Sequence, residues 1–293
     1  MTQPALIAAA VSTVLWIFAG TIAKKISSDL GGRTVSLIYA TFSLLPILII
    51  VYLVGDYSIS AYSTFLSAAA GLFLGAGFIL GFKALQTEKL ASVSALAEIQ
   101  PAFLVLLSIV VLNESISILQ AASIAIIFAG ALLIITTEKL RININLLPAL
   151  LSFISWSIYW TIMVYAVTSA GTFALPIFIS RLAGVPLIAI YFVYGIAANG
   201  ERGGHGLRSI LSNPCFAIPI ILTLIASFAD AVGDTIFGIT IGSNVLALGA
   251  ALIALQPMAV SFLGFALYRD RMTRIQLLGF IIMVAGAFSL SIL

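Results

Sequence analysis

The sequence has few charged residues: Asp, Glu, Lys and Arg make up 8% of its 293 positions. A water-soluble domain uses roughly a quarter of its residues as charges to cover its surface. Hydrophobic residues make up 62% of this chain, so its surface must be covered by lipid. The composition argues against a soluble globular fold and predicts a membrane protein.

Residues for several common chemistries are also scarce. His205 is the only histidine and Cys215 the only cysteine, which excludes an intramolecular disulfide and argues against a zinc or Cys–His catalytic site. No Gly-x-x-x-x-Gly-Lys-Ser/Thr run is present to hold ATP phosphates. The net charge of +3 lies mainly in loops. We therefore expect no cofactor, no metal, no enzymatic activity and no nucleic-acid partner.

Long apolar runs, by contrast, cover most of the chain. A spanning helix needs about 20 mostly apolar residues, and the polar stretches between such runs are too short for a separate soluble domain. The fold class predicted is an all-α polytopic membrane protein with ten transmembrane helices, the first retained as a helix because no basic residue precedes it. The ten predicted spans are 4–23, 33–54, 62–83, 90–112, 117–136, 146–168, 173–196, 214–238, 244–267 and 275–292.

The positive charges alternate with these spans. The odd-numbered connections hold all the Lys and Arg residues except Arg181, which lies within a span, whereas the even-numbered connections and both termini hold none. The positive-inside rule then places the odd connections in the cytoplasm and both termini outside the cell membrane. The residues of the odd connections are Lys24, Lys25, Arg33, Lys83, Lys89, Lys139, Arg141, Arg202, Arg208, Arg269, Arg271 and Arg274.

The two halves of the chain match each other, which predicts repeats over residues 1–137 and 146–293. Because five helices is an odd number, the second repeat must enter the membrane from the opposite side. Inverted repeats are the usual architecture of secondary transporters. The matched pairs, first 140 and then 156 residues apart, are Trp16 with Trp156, Thr21 with Thr161, Gly31 with Gly171, Pro46 with Pro186, Gly77 with Gly233, Gln100-Pro101 with Gln256-Pro257, Glu114 with Asp270, Gln120 with Gln276 and Ala129-Gly130 with Ala285-Gly286.

A family resemblance rests on Trp16, Trp156 and three short segments: Ala84-Leu85-Gln86, Gln100-Pro101 and Leu112-Asn113-Glu114. With five-plus-five helices, these residues resemble the drug/metabolite transporter superfamily, EamA type. The resemblance implies a transporter whose cavity is lined by helices one, three, four, six, eight and nine.

The chain departs from that family in two places and in its predicted orientation. Tyr268-Arg269-Asp270 stands where a Leu-Gly-Glu-like turn is expected, and Thr240-Ile241-Gly242 matches the Ala-Leu-Lys region weakly. The resemblance also implies cytoplasmic termini, opposite to the orientation that the charges predict.

Four ionisable residues lie near the middle of predicted spans: Glu98, Arg181, Asp230 and Asp234. A charge inside a membrane is costly, so each is a candidate for substrate binding or ion coupling. Asp230 and Asp234 are one helical turn apart and share a face, where their mutual repulsion favours uptake of a proton or a cation. The alternative is a structural network in which Arg181 neutralises an acid and joins helices.

Aromatic and amide side chains complete the candidate site. Trp156, Tyr159 and Trp160 recur at helical spacing, and Trp16 is the counterpart of Trp156; they could bind an organic cation or simply pack between helices. Gln100 and Gln256 precede prolines within spans and could line a pocket or bond between helices. Their residue types do not decide between these roles.

Together, these features predict a secondary active transporter of a small polar or amphipathic metabolite, such as an amino acid or an amine. Alternating access around a midplane cavity and coupling to protons are part of this hypothesis. The expected partners are a small-molecule substrate and the lipid bilayer, and the protein would be a monomer or a homodimer. An intramembrane enzyme, a helical scaffold without transport and a channel are the alternatives.

Overall fold

The computed structural model describes residues 2–55, 57–100, 117–134, 143–199, 213–241 and 255–292. The described residues form α-helices joined by short turns and single 3₁₀ turns, and no strand occurs among them. The helices are α1 (Thr2–Leu30), α2 (Gly32–Val54), α3 (Ala61–Thr87), α4 (Leu90–Ala95), α5 (Ile118–Ile134), α6 (Leu147–Ala170), α7 (Ala174–Asn199), α8 (Ala217–Ile241), α9 (Leu255–Tyr268) and α10 (Arg274–Ile292).

Six of these helices, α1, α2, α3, α6, α7 and α8, are long and apolar enough to cross a membrane. Two shorter apolar helical segments, Ala121–Ile134 and Arg274–Ser289, belong to α5 and α10. Each of the ten predicted spans overlaps a described helix, although residues 101–112 of the fourth span and 244–254 of the ninth lie outside the described residues. The protein is therefore an all-helical, multi-pass membrane protein.

Helix α1 is longer than its predicted span, which ends at residue 23. It continues to Leu30, so Lys24 and Lys25 lie in a helix and not in a loop. Lys25 pairs with Asp29 one turn later at 3.1 Å, while the Lys24 Nζ atom donates to the carbonyl oxygens of Leu85 and Glu88 at 2.8 and 2.6 Å. The lysines thus support the last turns of the helix, which the charge pattern alone assigns to a loop.

Gly31 and Gly171, a matched pair in sequence, have the same role in the backbone. Gly31 joins α1 to α2 with φ 81°, and Gly171 ends α6 with φ 69°. These left-handed conformations suit glycine because it has no Cβ. A sharp turn between the first two helices therefore occurs in both halves of the chain.

The helices pack most extensively in pairs taken from different halves. Helix α3 lies against α6 and α7, α1 against α8, and α5 against α10. Glycines allow the helices to approach closely. A Cβ atom at Gly71 of α3 would overlap the backbone of α7, and one at Gly184 of α7 would overlap the backbone of α3. Small residues at such crossings let helix backbones touch in a membrane.

Residues of four odd-numbered connections meet at one end of the molecule. The Tyr268 hydroxyl at the end of α9 donates to the Thr21 carbonyl near the end of α1 at 2.8 Å. Lys89 donates to the Arg271 carbonyl at 2.7 Å, and Asn143 donates to Glu88 at 3.3 Å. We call this the basic end because its connections carry most of the lysines and arginines.

The last turns of α7 lie at the same end. At the start of α2, the Arg33 guanidinium lies 5.4 Å from the ring centre of Tyr191, near the end of α7. A Cβ atom at Gly195 would meet the Arg33 side chain. The end of α7 therefore lies beside the start of α2, as the alternation of charge along the chain requires.

Candidate functional site

Three of the four ionisable residues predicted within spans meet inside the protein. The Arg181 Nη2 atom of α7 lies 2.7 Å from Asp230 Oδ2 and also pairs with Asp234 Oδ2, both carboxylates belonging to α8. Only 1% of the Arg181 side chain and 7% of the Asp234 side chain are exposed, against 18% for Asp230. The site is thus a buried cluster of one cation and two anions.

The two aspartates reach one guanidinium because they are a single turn apart on α8. Residues four apart on a helix point to the same side, and that side faces α7. Arg181 lies about two turns inside α7, so the charges are held within apolar helices, away from the helix ends. Ion pairs of this kind are stable in a low-dielectric interior only when the charges remain together.

Trp16 adds a hydrogen bond from a third helix. Its Nε1 atom on α1 donates to Asp234 Oδ1 at 3.0 Å. The Trp16 ring also contacts Trp160 and Phe237, with ring centres 6.0 and 5.4 Å apart, and Trp160 lies 5.1 Å from Phe237. Asp234 is therefore held between a guanidinium and an indole, beside a wall of aromatic rings.

A second aromatic group contacts Arg181 itself. The guanidinium carbon is 4.9 Å from the centre of the Phe78 ring on α3, a cation–π distance. Phe78 in turn contacts Trp156 of α6 edge to face at 6.2 Å. Trp156 therefore reaches the cluster through Phe78.

Tyr159 is close to the same cluster but is part of the packed core. It is 1% exposed, and its ring contacts Trp160 edge to face at 4.9 Å. Along α6, then, Trp156 reaches the charged cluster through Phe78, and Trp160 reaches it through Trp16. The aromatic residues predicted to share one face of α6 thus make two different contacts, Trp156 with Phe78 and Trp160 with Trp16.

Close glycine contacts set the position of both tryptophans. A Cβ atom at Gly233, next to Asp234, would lie 3.0 Å from the Trp16 Nε1 atom. A Cβ atom at Gly77, next to Phe78, would overlap the Trp156 indole. Each indole thus fits against a helix that has no side chain at the crossing point.

The remaining sequence-predicted site residues are not joined to this cluster by the contacts of the described residues. Gln100 and Gln256 are both partly buried, and no hydrogen bond among those residues links either to Arg181 or to an aspartate. The side chain of Glu98, Pro101 and the Leu112-Asn113-Glu114 segment lie outside the described residues. Among the described residues, no group of three or more His, Cys, Asp and Glu could hold a metal ion.

Sequence reasoning missed Phe78, Phe237 and Tyr39. Phenylalanine is common in apolar spans, but Phe78 is the residue 156 positions before Asp234, which marks it as that residue's counterpart. Tyr39 of α2 donates to the Ala226 carbonyl at 3.2 Å and accepts at its own carbonyl from Ser227 at 2.6 Å. It thereby fixes α8 one turn before Asp230.

The cluster carries one positive and two negative side chains, a formal charge of −1 when all three are ionised. A buried excess charge favours binding of a positive group or a proton. The aromatic rings around it also present faces that attract cations. The arrangement is therefore suited to binding a polar or charged solute inside the membrane.

Comparison with known proteins gives a family and a fold. Residues 3–136 match the EamA-like transporter family, and no curated protein matches the chain. A solved structure, named only as the crystal structure of a protein, is similar over 99% of this chain and 96% of its own, with a TM-score of 0.62 and 16% identity. That likeness concerns the fold alone. Residues 3–136 are thus similar to the EamA-like transporter family, a family of membrane transporters within the drug/metabolite transporter superfamily.

Proposed function

We propose that this protein is a secondary active transporter that moves a small polar or amphipathic metabolite by alternating access around the Arg181–Asp230–Asp234 cluster. The observation that carries the proposal is the burial of three charged side chains inside membrane-length helices. Charges at that depth are costly and mark substrate or ion sites in membrane proteins. The surrounding tryptophans and phenylalanines would contact the apolar part of the solute.

Alternating access follows from the inverted repeat that we propose over residues 1–137 and 146–293, five helices in each. The reciprocal tryptophan contacts support it: Trp16 of the first half lies on Gly233 of the second, and Trp156 of the second lies on Gly77 of the first. Two copies of one five-helix unit that exchange contacts in this way are related by an approximate twofold axis.

The α5–α10 crossing has the same reciprocity. A Cβ atom at Gly130 would meet Gly279 and Met283, whereas one at Gly286 would meet Ser123 and Ile127. Gly286, Gly279 and Met283 stand 156 positions after Gly130, Ser123 and Ile127. The contact therefore maps onto itself when the halves are exchanged.

Hydrogen bonds at the basic end hold the two halves together there. Tyr268 to Thr21 and Lys89 to Arg271 each join the first half to the second. We infer that these bonds must break when the site opens toward that end. The positive-inside rule assigns this end to the cytoplasm, with both termini on the other side of the cell membrane.

Proton coupling is the second part of the proposal and concerns Asp230 and Asp234. Charged or titratable groups face the pair from several helices: Arg181 on α7, Tyr159 on α6 and Tyr39 on α2. With one cation between two carboxylates, a proton would remove the excess negative charge when no cationic solute is bound. Proton release would then accompany solute binding.

The test begins with a thermal-shift screen of the purified chain in detergent. Amino acids, amines, sugars, nucleosides and organic acids are compared at two pH values on either side of neutrality, because a ligand of the folded state raises the melting temperature. Compounds that bind are then followed in proteoliposomes with and without a pH gradient.

The Asp230→Asn/Asp234→Asn variant separates the two parts of the proposal. It leaves Arg181 buried without a partner charge, so its melting temperature is measured first to establish that it folds. The folded variant should lose flux or the dependence of flux on pH. Asp29→Asn is the matched control, since Asp29 is a partly exposed acid at the basic end, and its flux should not change. Unchanged, pH-insensitive flux in the double variant would contradict coupling through this pair.

The same measurements distinguish the alternatives. A helical scaffold or an intramembrane enzyme would give no solute flux in proteoliposomes, and a channel would give flux that does not saturate. Light scattering of the purified protein would decide between a monomer and a homodimer.

A further inference from the structure

The Arg181 guanidinium uses only part of its hydrogen-bonding capacity. Its Nη2 atom serves both Asp230 and Asp234. The Nε and Nη1 atoms are buried and have no hydrogen-bond partner among the described residues. Since Nε carries one N–H group and Nη1 carries two, three of the five donors of this side chain are unused.

The surroundings of these donors are aromatic. Phe78 lies against the guanidinium at 4.9 Å, and a phenyl ring offers attraction to its face but no acceptor oxygen. A buried N–H group without an acceptor is unfavourable. The Arg181 guanidinium, which is 2% exposed, can therefore bind an acceptor that the described part of the chain does not supply.

The aspartates have the opposite imbalance: they offer more acceptor oxygens than Arg181 uses. Two carboxylates share one Nη2 atom; Asp234 also accepts a hydrogen bond from Trp16, and the Tyr39 hydroxyl lies beside Asp230. Asp230 is the more exposed, at 18% of its side chain, and among the described residues it forms an ion pair with Arg181 alone. It can therefore turn toward a positive group that enters beside it.

From these observations we propose that the cluster is a receptor for a zwitterion, in which the carboxylate of the solute binds Arg181 and its ammonium group binds Asp230. This inference rests on the proposed transport function and names its substrate class. An incoming carboxylate takes N–H groups of Arg181 that have no acceptor, and it replaces Asp230 on the guanidinium. Asp234 stays in place because Trp16 and Arg181 both hold it, so the buried arginine is paired at every stage.

The exchange explains why an arginine is needed here. A planar guanidinium can hold Asp234 and a second carboxylate at once through different N–H groups. A lysine provides one compact charge and would retain the aspartates without the directional donors. A solute with an amine and no carboxylate would leave the Nε and Nη1 groups of Arg181 unsatisfied and should bind more weakly.

The test compares solutes that differ by one charged group. Melting temperatures of the full chain in detergent are measured with L-leucine, isoamylamine and 4-methylpentanoate, and with L-phenylalanine, phenethylamine and 3-phenylpropionate. We expect the amino acid of at least one set to raise the melting temperature, and to bind about tenfold or more tightly than its amine or its acid, the usual effect of one charge-assisted hydrogen bond.

Arg181→Lys is the decisive variant because it keeps the charge that the aspartates require. It should fold and should bind the amino acid no better than the corresponding amine. Arg274→Lys, the same change at an exposed arginine at the start of α10, should retain the wild-type preference. If the wild-type protein binds amine and amino acid equally, or if Arg181→Lys keeps the preference, the carboxylate receptor is wrong.

Failure of the proposed function would look different. Counterflow in proteoliposomes is measured for the same compounds and for sugars, nucleosides and organic acids. Flux of a solute that is not a zwitterion, unaffected by Arg181→Lys, would overturn the receptor and leave transport standing. A folded protein that moves none of these solutes would overturn both.

Discussion

Where α1 crosses α8, the Trp16 indole lies against Gly233, and where α6 crosses α3, the Trp156 indole lies against Gly77. The two crossings differ one residue further along the glycine-bearing helix. Trp16 donates to Asp234, whereas Trp156 meets the ring of Phe78, the residue 156 positions before Asp234. The close packing is thus present twice, and the charge is present once.

Arg181 likewise has no charged counterpart in the first half of the chain. The residue 140 positions before it is Thr41, which is exposed on the surface of α2. All three charges of the cluster therefore belong to the second half of the chain, and the first half contributes Trp16 and Phe78 around them. A site built this way would bind a solute asymmetrically, even though the scaffold that we propose around it is nearly symmetric.

Removing the arginine should have the largest effect. Arg181→Leu leaves two carboxylates buried without a cation, which costs about 3–5 kcal/mol of the free energy of unfolding. Denaturant titration in detergent micelles measures the loss. Thr41→Leu, the matched change in the first half, should alter the free energy of unfolding little because that side chain is exposed.

The charge itself can be tested as the cause of that loss. Adding Asp230→Asn and Asp234→Asn to Arg181→Leu removes all three charges, and the triple variant should be more stable than Arg181→Leu alone. Equal stability of the two variants would indicate that Arg181 contributes by packing and not by its charge.

The two tryptophans should respond unequally to one substitution. Trp16→Phe removes the donor to the Asp234 carboxylate and should cost about 1.5–3 kcal/mol, the range for a hydrogen bond to a charged group. Trp156→Phe keeps an aromatic ring beside Phe78 and should cost less. The difference is measured as the free energy of unfolding of each variant and as its affinity for the solute found by screening. Equal losses in the two variants would mean that the Trp16–Asp234 bond contributes little.

The two glycines should respond alike, since both crossings depend on the missing side chain. Gly77→Ala forces a methyl group into the Trp156 indole, and Gly233→Ala brings one to 3.0 Å from Trp16 Nε1. Overpacking of this kind costs about 1–3 kcal/mol, with Gly77→Ala the more severe. A shift in melting temperature for both, and partial recovery of Gly77→Ala by Trp156→Phe, would verify the shared packing; stability unchanged in either would refute it.

Much of this comparison is visible in the sequence. Hydropathy predicts the helices, and the rarity of charge within spans singles out Arg181, Asp230 and Asp234, together with Glu98, before any contact is known. The spacing of 140 and 156 residues pairs Trp16 with Trp156 and Gly77 with Gly233. These signals are readable because each depends on residue type and position along one helix.

What the sequence does not predict depends on contacts between helices distant in the chain. Nothing in the sequence near Arg181 indicates that it would pair with both aspartates through one nitrogen atom. Phe78 is one phenylalanine among many in apolar spans, and only its place beneath the guanidinium gives it a role. The predicted end of α1 is wrong because Lys24 donates to carbonyl oxygens at the end of α3. Local sequence patterns do not reveal a partner that lies on another helix.

Phe78 allows the smallest and most specific test of the difference between the halves. Phe78→Leu keeps an apolar side chain on α3 but removes the ring face that lies 4.9 Å from the Arg181 guanidinium. The lost cation–π attraction should cost about 0.5–2 kcal/mol, and the same change at Phe82, which contacts Phe78 and Tyr39, controls for lost aromatic packing. If the ring supports Arg181, then Phe78→Leu should lower stability more in the wild-type background than in the Arg181→Leu/Asp230→Asn/Asp234→Asn background, where no cation remains. Equal losses in both backgrounds would mean that Phe78 serves only to pack against Trp156, and that the aromatic half of the site does not contribute to holding the charge.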